Sequence, residues 1–138
     1  MKMRCLAGLV VLVAESAAAA DTITVCQDGC DYTSINEAIE AASDGDTIQL
    51  HAETYFEGTF IRTNGKAITI KGSIDDEGNP TTKLDGENSL IVIICADGES
   101  EKTSFQNLVI QNGYGQIFGN GDIYAGGMII FNSSPVIS

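Results

Sequence analysis

The chain has 138 residues and a formal net charge of −12, with 19 Asp and Glu against 7 Lys and Arg. That length accommodates one ordinary domain, and the acidic balance excludes direct recognition of DNA, RNA or an anionic membrane, which depends on clustered Lys and Arg. An anionic glycan is repelled as well unless a divalent cation bridges it, although the same acidity also serves as a plain solubility device.

Residues 1–20 have the layout of a secretory signal peptide: Lys2 and Arg4, an apolar run from Cys5 to Ala14, and an alanine tract ending in Ala20 before Asp21. Glu15 is an unusual residue in such a leader. The apolar run is roughly half of what a membrane span needs, and no second segment of spanning length follows. Cleavage near Ala20 is therefore expected to release residues 21–138 as one secreted, extracellular or cell-surface domain, outer-membrane association included. The released chain carries 5 Lys and Arg against 18 Asp and Glu, a net charge of −13.

Exported cysteines meet an oxidising compartment. Cys26 and Cys30, with Gly29 supplying the turn, either close a small disulfide loop or supply two ligands to a metal. The second reading is disfavoured because a structural site normally takes four ligands and the one histidine, His51, belongs to a different segment. Cys95 ends an apolar strand and is expected to be an inert buried thiol.

Ser34 to Ser43 is the single predicted helix. Ser34 with Glu37 forms a capping box, and Ile35, Ala38, Ile39 and Ala42 recur at i, i+3, i+4 and i+7 on one face. Asp44-Gly45 stops it. A helix this short is marginal in water, so its apolar stripe must cover something.

Beyond Asp46 the periodicity changes, and strands are predicted at Thr47–His51, Thr59–Thr63, Ala67–Lys71, Thr82–Asp85, Leu90–Cys95, Thr103–Gln111 and Met128–Asn132. Centres at Ile48, Ile70, Val92, Val109 and Ile130 are separated by 22, 22, 17 and 21 residues, a loose repeat. Asn64-Gly65 is the one good two-residue hairpin candidate, so a β-sandwich is the weaker alternative. Short strands on this repeat predict an all-β parallel solenoid whose open first layer is plugged by the helix.

The residues from Tyr32 through Leu50, followed by Glu53-Thr54-Tyr55-Phe56-Glu57, resemble the amino-terminal cap and first coil of pectin lyase-like right-handed parallel β-helix proteins. Ala67 to Gly72, Leu84-Asp85-Gly86 and Phe105 to Gly113 match further coils, and Tyr124 to Ile137 is similar to the glycine-rich coils of bacterial β-helix-repeat proteins, including polymorphic outer-membrane proteins. The resemblance implies a right-handed parallel β-helix with a short N-terminal capping α-helix. Such domains have many more coils and a closing cap, so the expectation is an amino-terminal fragment, or an open C-terminal end at Pro135-Val136-Ile137 that pairs with strands of another chain.

Enzymes of that superfamily use paired aspartates with Gln and Arg, or calcium-binding acids with an Arg or Lys base. No such constellation can be aligned here, and Arg62, the one arginine after the leader, reads as a solvated strand-end charge. The loop acids Asp75, Asp76 and Glu77 are candidate calcium ligands, as are the Asp85-Gly86-Glu87 and Asp97-Gly98-Glu99 groups; exposed loop acids of a soluble protein explain the same residues. Gly119-Asn120-Gly121-Asp122 is one partial copy of a glycine-aspartate calcium repeat. His51 reads as structural rather than as a proton shuttle. Tyr55 and Phe56 are expected to pack inside, Asn112 to join an inward asparagine stack, and Tyr114, Phe118 and Tyr124 to offer glycan contacts. The expected function is a binding or adhesion scaffold for extracellular polysaccharide. The alternative is a polysaccharide lyase, hydrolase or esterase with its catalytic residues beyond Ser138.

Overall fold

Alternation decides which side chains of Thr47-Ile48-Gln49-Leu50 go inside: Ile48 and Leu50 are buried and their neighbours half-buried. The computed structural model describes residues 19–138 apart from Phe118, Asn120, Asp122 and Ala125. Most of the expected leader, and the glycan candidate Phe118, therefore lie outside the described residues. Thr22–Val25 forms β1 and Ile35–Ala41 forms α1, followed by β2 (Thr47–Leu50), β3 (Thr54–Tyr55), β4 (Ile61–Arg62), β5 (Thr69–Lys71), β6 (Thr82–Asp85) and β7 (Ile93–Cys95). The later strands are β8 (Ser104–Gln106), β9 (Leu108–Gln111), β10 (Gln116–Ile117), β11 (Ile123–Tyr124), β12 (Met128–Ile130) and β13 (Val136–Ile137).

The strands form a five-stranded sheet in the order β1-β2-β5-β8-β13, two three-stranded sheets, β4-β7-β12 and β3-β6-β9, and the pair β10-β11. The three larger sheets are parallel and β10-β11 is antiparallel. Parallel register stacks apolar residues. Ile48, Ile70 and Phe105 lie beside one another on β2, β5 and β8, Tyr55, Leu84 and Ile110 on β3, β6 and β9, and Ile61, Ile93 and Met128 on β4, β7 and β12. Burying one such side chain fully contributes about 1.5–3 kcal/mol, and these rows with the helix make one core.

The expected right-handed parallel β-helix, a closed solenoid, is corrected by this arrangement. The protein is a small, mainly β structure with one short helix, and its strands form three short parallel sheets that do not close into a continuous winding. The strands are only two to four residues long and are divided among three separate parallel sheets and one antiparallel pair. Left-handed asparagines end the ladders. Asn107, at φ 56°, divides the expected strand Thr103–Gln111 into β8 and β9, which belong to different sheets. Asn64 and Gly65 also have positive φ, but they join β4 to β5 in separate sheets and so make no hairpin. Asn112, likewise left-handed, is exposed rather than stacked inward, and its side chain donates to Asp85.

Helix α1 packs on β1, β2 and β4 and buries Ile35, Ala38 and Ile39. Ser34 caps it by accepting from the Glu37 amide at 3.3 Å. The remaining first-turn donors are met from outside the helix, because Glu57 accepts from the Ile35 and Asn36 amides and from the Ser34 hydroxyl. At the other end Lys66 Nζ donates to the carbonyls of Ile39, Glu40 and Ala42. Anion at the N-terminus and cation at the C-terminus both follow the helix dipole, and these long-range caps hold a helix of only 7 residues that would not persist alone.

A second polar clamp is buried. Glu99, 2% exposed, accepts from the Thr63 hydroxyl at 2.6 Å, the Gly65 amide at 3.1 Å, the Asp97 amide at 2.9 Å and the Ser133 hydroxyl at 2.7 Å. Burial pushes its pKa up, but hydrogen bonds from Thr63, Ser133 and backbone amides outweigh burial and hold the carboxyl at about 2 rather than 4.5. A depressed folded-state pKa gives stability that is complete above about 4.5 and is lost as pH falls towards about 2. The difference corresponds to about 3 kcal/mol. Glu99→Gln turns an amide NH2 towards these donors and is expected to cost about 2–4 kcal/mol at pH 7. Urea unfolding at pH 7 and pH 3 checks this, with the gap between wild type and variant narrowing in acid.

Candidate functional site

Residues that alternate with the core row of the β4-β7-β12 sheet face outward, and Arg62, Ile94 and Ile129 are in register on its three strands. They form the floor of a cavity of about 640 Å3, walled by Thr59, Phe60, Leu90, Ile91, Ala96, Gln116, Gly119 and Phe131. Phe60 just before β4 and Phe131 just after β12 are 37% and 59% exposed. Two phenyl rings in water at the mouth of an apolar hollow are the feature an ordinary solvated sheet face lacks.

Arg62 supplies the polar edge. Its Nε and Nη2 each bond a different oxygen of Asp97 at 2.7 Å, a bidentate pair that fixes the guanidinium plane. The bond to Asp97 keeps the arginine protonated and raises its pKa. Asp97 is itself placed by its backbone N–H, which donates to the Glu99 carboxylate at 2.9 Å. The expectation of a merely solvated Arg62 is thus replaced by an oriented donor that retains N–H groups beyond those Asp97 uses.

The sequence-derived glycan candidates do not assemble at this cavity. Tyr114 is exposed, its amide held by the Leu90 carbonyl at 2.7 Å, but its side chain does not line the cavity. Phe118 and the Tyr124 side chain fall outside the described residues. Tyr55 does pack inside and donates its hydroxyl to the Val25 carbonyl at 2.7 Å, whereas Phe56 is 58% exposed. Phe60 and Phe131 fall inside the predicted strands Thr59–Thr63 and Met128–Asn132, but nothing in the sequence relates two positions so far apart along the chain; only the parallel register brings them to one face.

The proposed calcium ligands Asp75, Asp76 and Glu77 do not converge either. Asp75 accepts from the Glu77 and Asn79 amides and from the Asn79 side chain, bonds that lower its pKa, those from Asn79 foremost. Its oxygens close an exposed loop turn. Asp85 is similarly occupied by Gln111, Asn112 and the Glu87 amide. Among the described residues, one group of three or more His, Cys, Asp and Glu brings its ligand atoms within 4.8 Å of one another: Cys26, Cys30 and His51.

Cys26 and Cys30 are joined by a disulfide with a Cα separation of 5.5 Å. The sequence distance that argued against His51 disappears in the fold, because Val25 of β1 is in register with Leu50 of β2, so the residues that follow, Cys26 and His51, emerge side by side. The imidazole lies 3.6 Å through Nε2 and 3.8 Å through Nδ1 from Cys30 Sγ.

Comparison of the chain with protein-family models, with curated proteins and with solved structures gives no match.

Cys95 takes no part in either. Burial, with the Glu99 charge adding to it, pushes its pKa up to about 12, and its surface is fully covered. In a Cys5→Ser chain left unreduced, a water-soluble thiol reagent is expected to label no cysteine in buffer and one in denaturant; stoichiometric native labelling would show that this part of the core is open.

Proposed function

We propose that the protein is a secreted or cell-surface binding scaffold that seats a segment of neutral extracellular polysaccharide in the cavity over the β4-β7-β12 sheet. The observation that carries this reading is the pairing of two exposed phenyl rings, Phe60 and Phe131, with the oriented Arg62–Asp97 pair around one apolar hollow. Sugar rings present C–H faces that pack on aromatic carbon and hydroxyls that bond planar polar side chains, so the two kinds of group serve one ligand. The charge of −12 favours a neutral glycan over an anionic one.

The physical division of labour is simple. Phe60 and Phe131 supply contact area, and Arg62 and Asp97 supply orientation. Loss of one aromatic contact typically costs about 1–3 kcal/mol in binding, which is about 5- to 150-fold in affinity. Titration with neutral plant and microbial polysaccharides is expected to show saturable binding that Phe60→Ala and Phe131→Ala each weaken by such a factor, while Tyr114→Ala leaves it unchanged. Pectate is expected to bind more weakly than neutral chains at low salt. Equal binding by the phenylalanine variants, or turnover of a polysaccharide by the wild-type chain, would overturn the reading.

A further inference from the structure

The sulfur and nitrogen atoms gathered at the ends of β1 and β2 are not used by the cavity. We propose that Cys26, Cys30 and His51 form a redox-gated site for one Zn2+ ion, closed when the cysteines are a disulfide and opened when a dithiol reduces them. Three donors whose atoms all lie within 4.8 Å of one another have the composition of a Cys2His zinc set, and the C-x3-C spacing falls in the range such loops use. The fourth position is left for water.

What favours the site is that its scaffold does not depend on the sulfur–sulfur bond. The Cys26 amide donates to the Tyr32 carbonyl and the Tyr32 amide to the Thr24 carbonyl, both at 3.1 Å, which clamps the two ends of the loop. Asp31 accepts from the amide and the hydroxyl of Thr24, and the Gln27 amide is held by Glu53. On the histidine side, the His51 amide bonds the Val25 carbonyl and the Tyr55 hydroxyl. Reduction then frees two thiols beside the imidazole, whose Nε2 lies 3.6 Å from Cys30 Sγ in the oxidised chain. Cys26 is buried, Cys30 is half-buried and His51 exposed, so the ion has an entry path and the reductant reaches Cys30 first. The Asp31 and Glu53 carboxylates that hold the loop make a field that favours a cation over an anion.

A dithiol gives two electrons and two protons, its own sulfurs forming a disulfide while the Cys26–Cys30 bond breaks to two thiols. Zinc then displaces both thiol protons, and His51 contributes the lone pair of its neutral ring. A disulfide oxidant that takes up the two electrons, and two protons from water, to become a dithiol re-forms the Cys26–Cys30 bond and releases the metal.

The test uses the full chain in a Cys5→Ser, Cys95→Ser background, reduced with a dithiol, desalted without oxygen and titrated with Co2+. One equivalent is expected to give a thiolate-to-cobalt charge-transfer band that Zn2+ abolishes, and the unreduced chain is expected to give none. Loss of a group that merely hydrogen-bonds a metal ligand weakens metal sites about 10- to 100-fold, so loss of a direct ligand in His51→Ala or Cys30→Ser should weaken binding at least about tenfold. Should reduction unfold the chain, Zn2+ is expected to restore its circular dichroism, because a site formed only in the folded state stabilises that state. No charge-transfer band and no metal-driven refolding, or a band undiminished in His51→Ala, would overturn the proposal. Polysaccharide binding by the oxidised chain is read separately, so either proposal can fail alone.

Discussion

One buried carboxylate constrains the region on which the functional reading rests. Glu99 gathers donors that follow each strand of a single sheet: Thr63 and Gly65 after β4, Asp97 after β7 and Ser133 after β12. Taking a carboxylate out of water is unfavourable unless its lone pairs are filled, and here four protein groups fill them. The same sheet presents the cavity on its outer face. Asp97, held through its amide N–H by Glu99, in turn orients Arg62, so the direction of the cavity's polar edge traces to one ionised group.

The parts of the structure that were legible in the sequence are those where a local pattern has one physical solution. The stripe of Ile35, Ala38 and Ile39 could be buried only by a helix, and the alternation in Thr47 to Leu50 only by a strand. The helix caps were half legible: Ser34 was evident, but Glu57 and Lys66 reach the helix from more than 20 residues away, and no local signal marks them. Strand β1 is not legible because Thr22-Ile23-Thr24-Val25, although it alternates, is too short a run beside the leader to establish a period. Regular spacing of strand centres suggested a closed winding, but spacing says nothing of whether ladders continue round a corner. At Asn107 the left-handed backbone separates β8 from β9, which belong to different sheets.

Sites are less legible still, since each needs a register. A sequence shows that Cys26 and His51 are distant, and it cannot show that Val25 and Leu50 are neighbours. Conversely, Asp75, Asp76 and Glu77 look gathered in sequence, yet the fold spends the Asp75 oxygens on its own loop. Proximity along a chain and proximity in space diverge most in a parallel sheet, where paired strands are always separated by a long connection.

The bond between the Gly65 amide and Glu99, at 3.1 Å, also bears on how the molecule ages. Asparagine followed by glycine deamidates when the glycine nitrogen attacks the asparagine side-chain carbonyl, closing a five-membered imide. In Asn64-Gly65 that nitrogen is engaged by a carboxylate inside the fold, so chemical decay at this pair proceeds through opened molecules, and its pace measures how often the β4 corner comes undone.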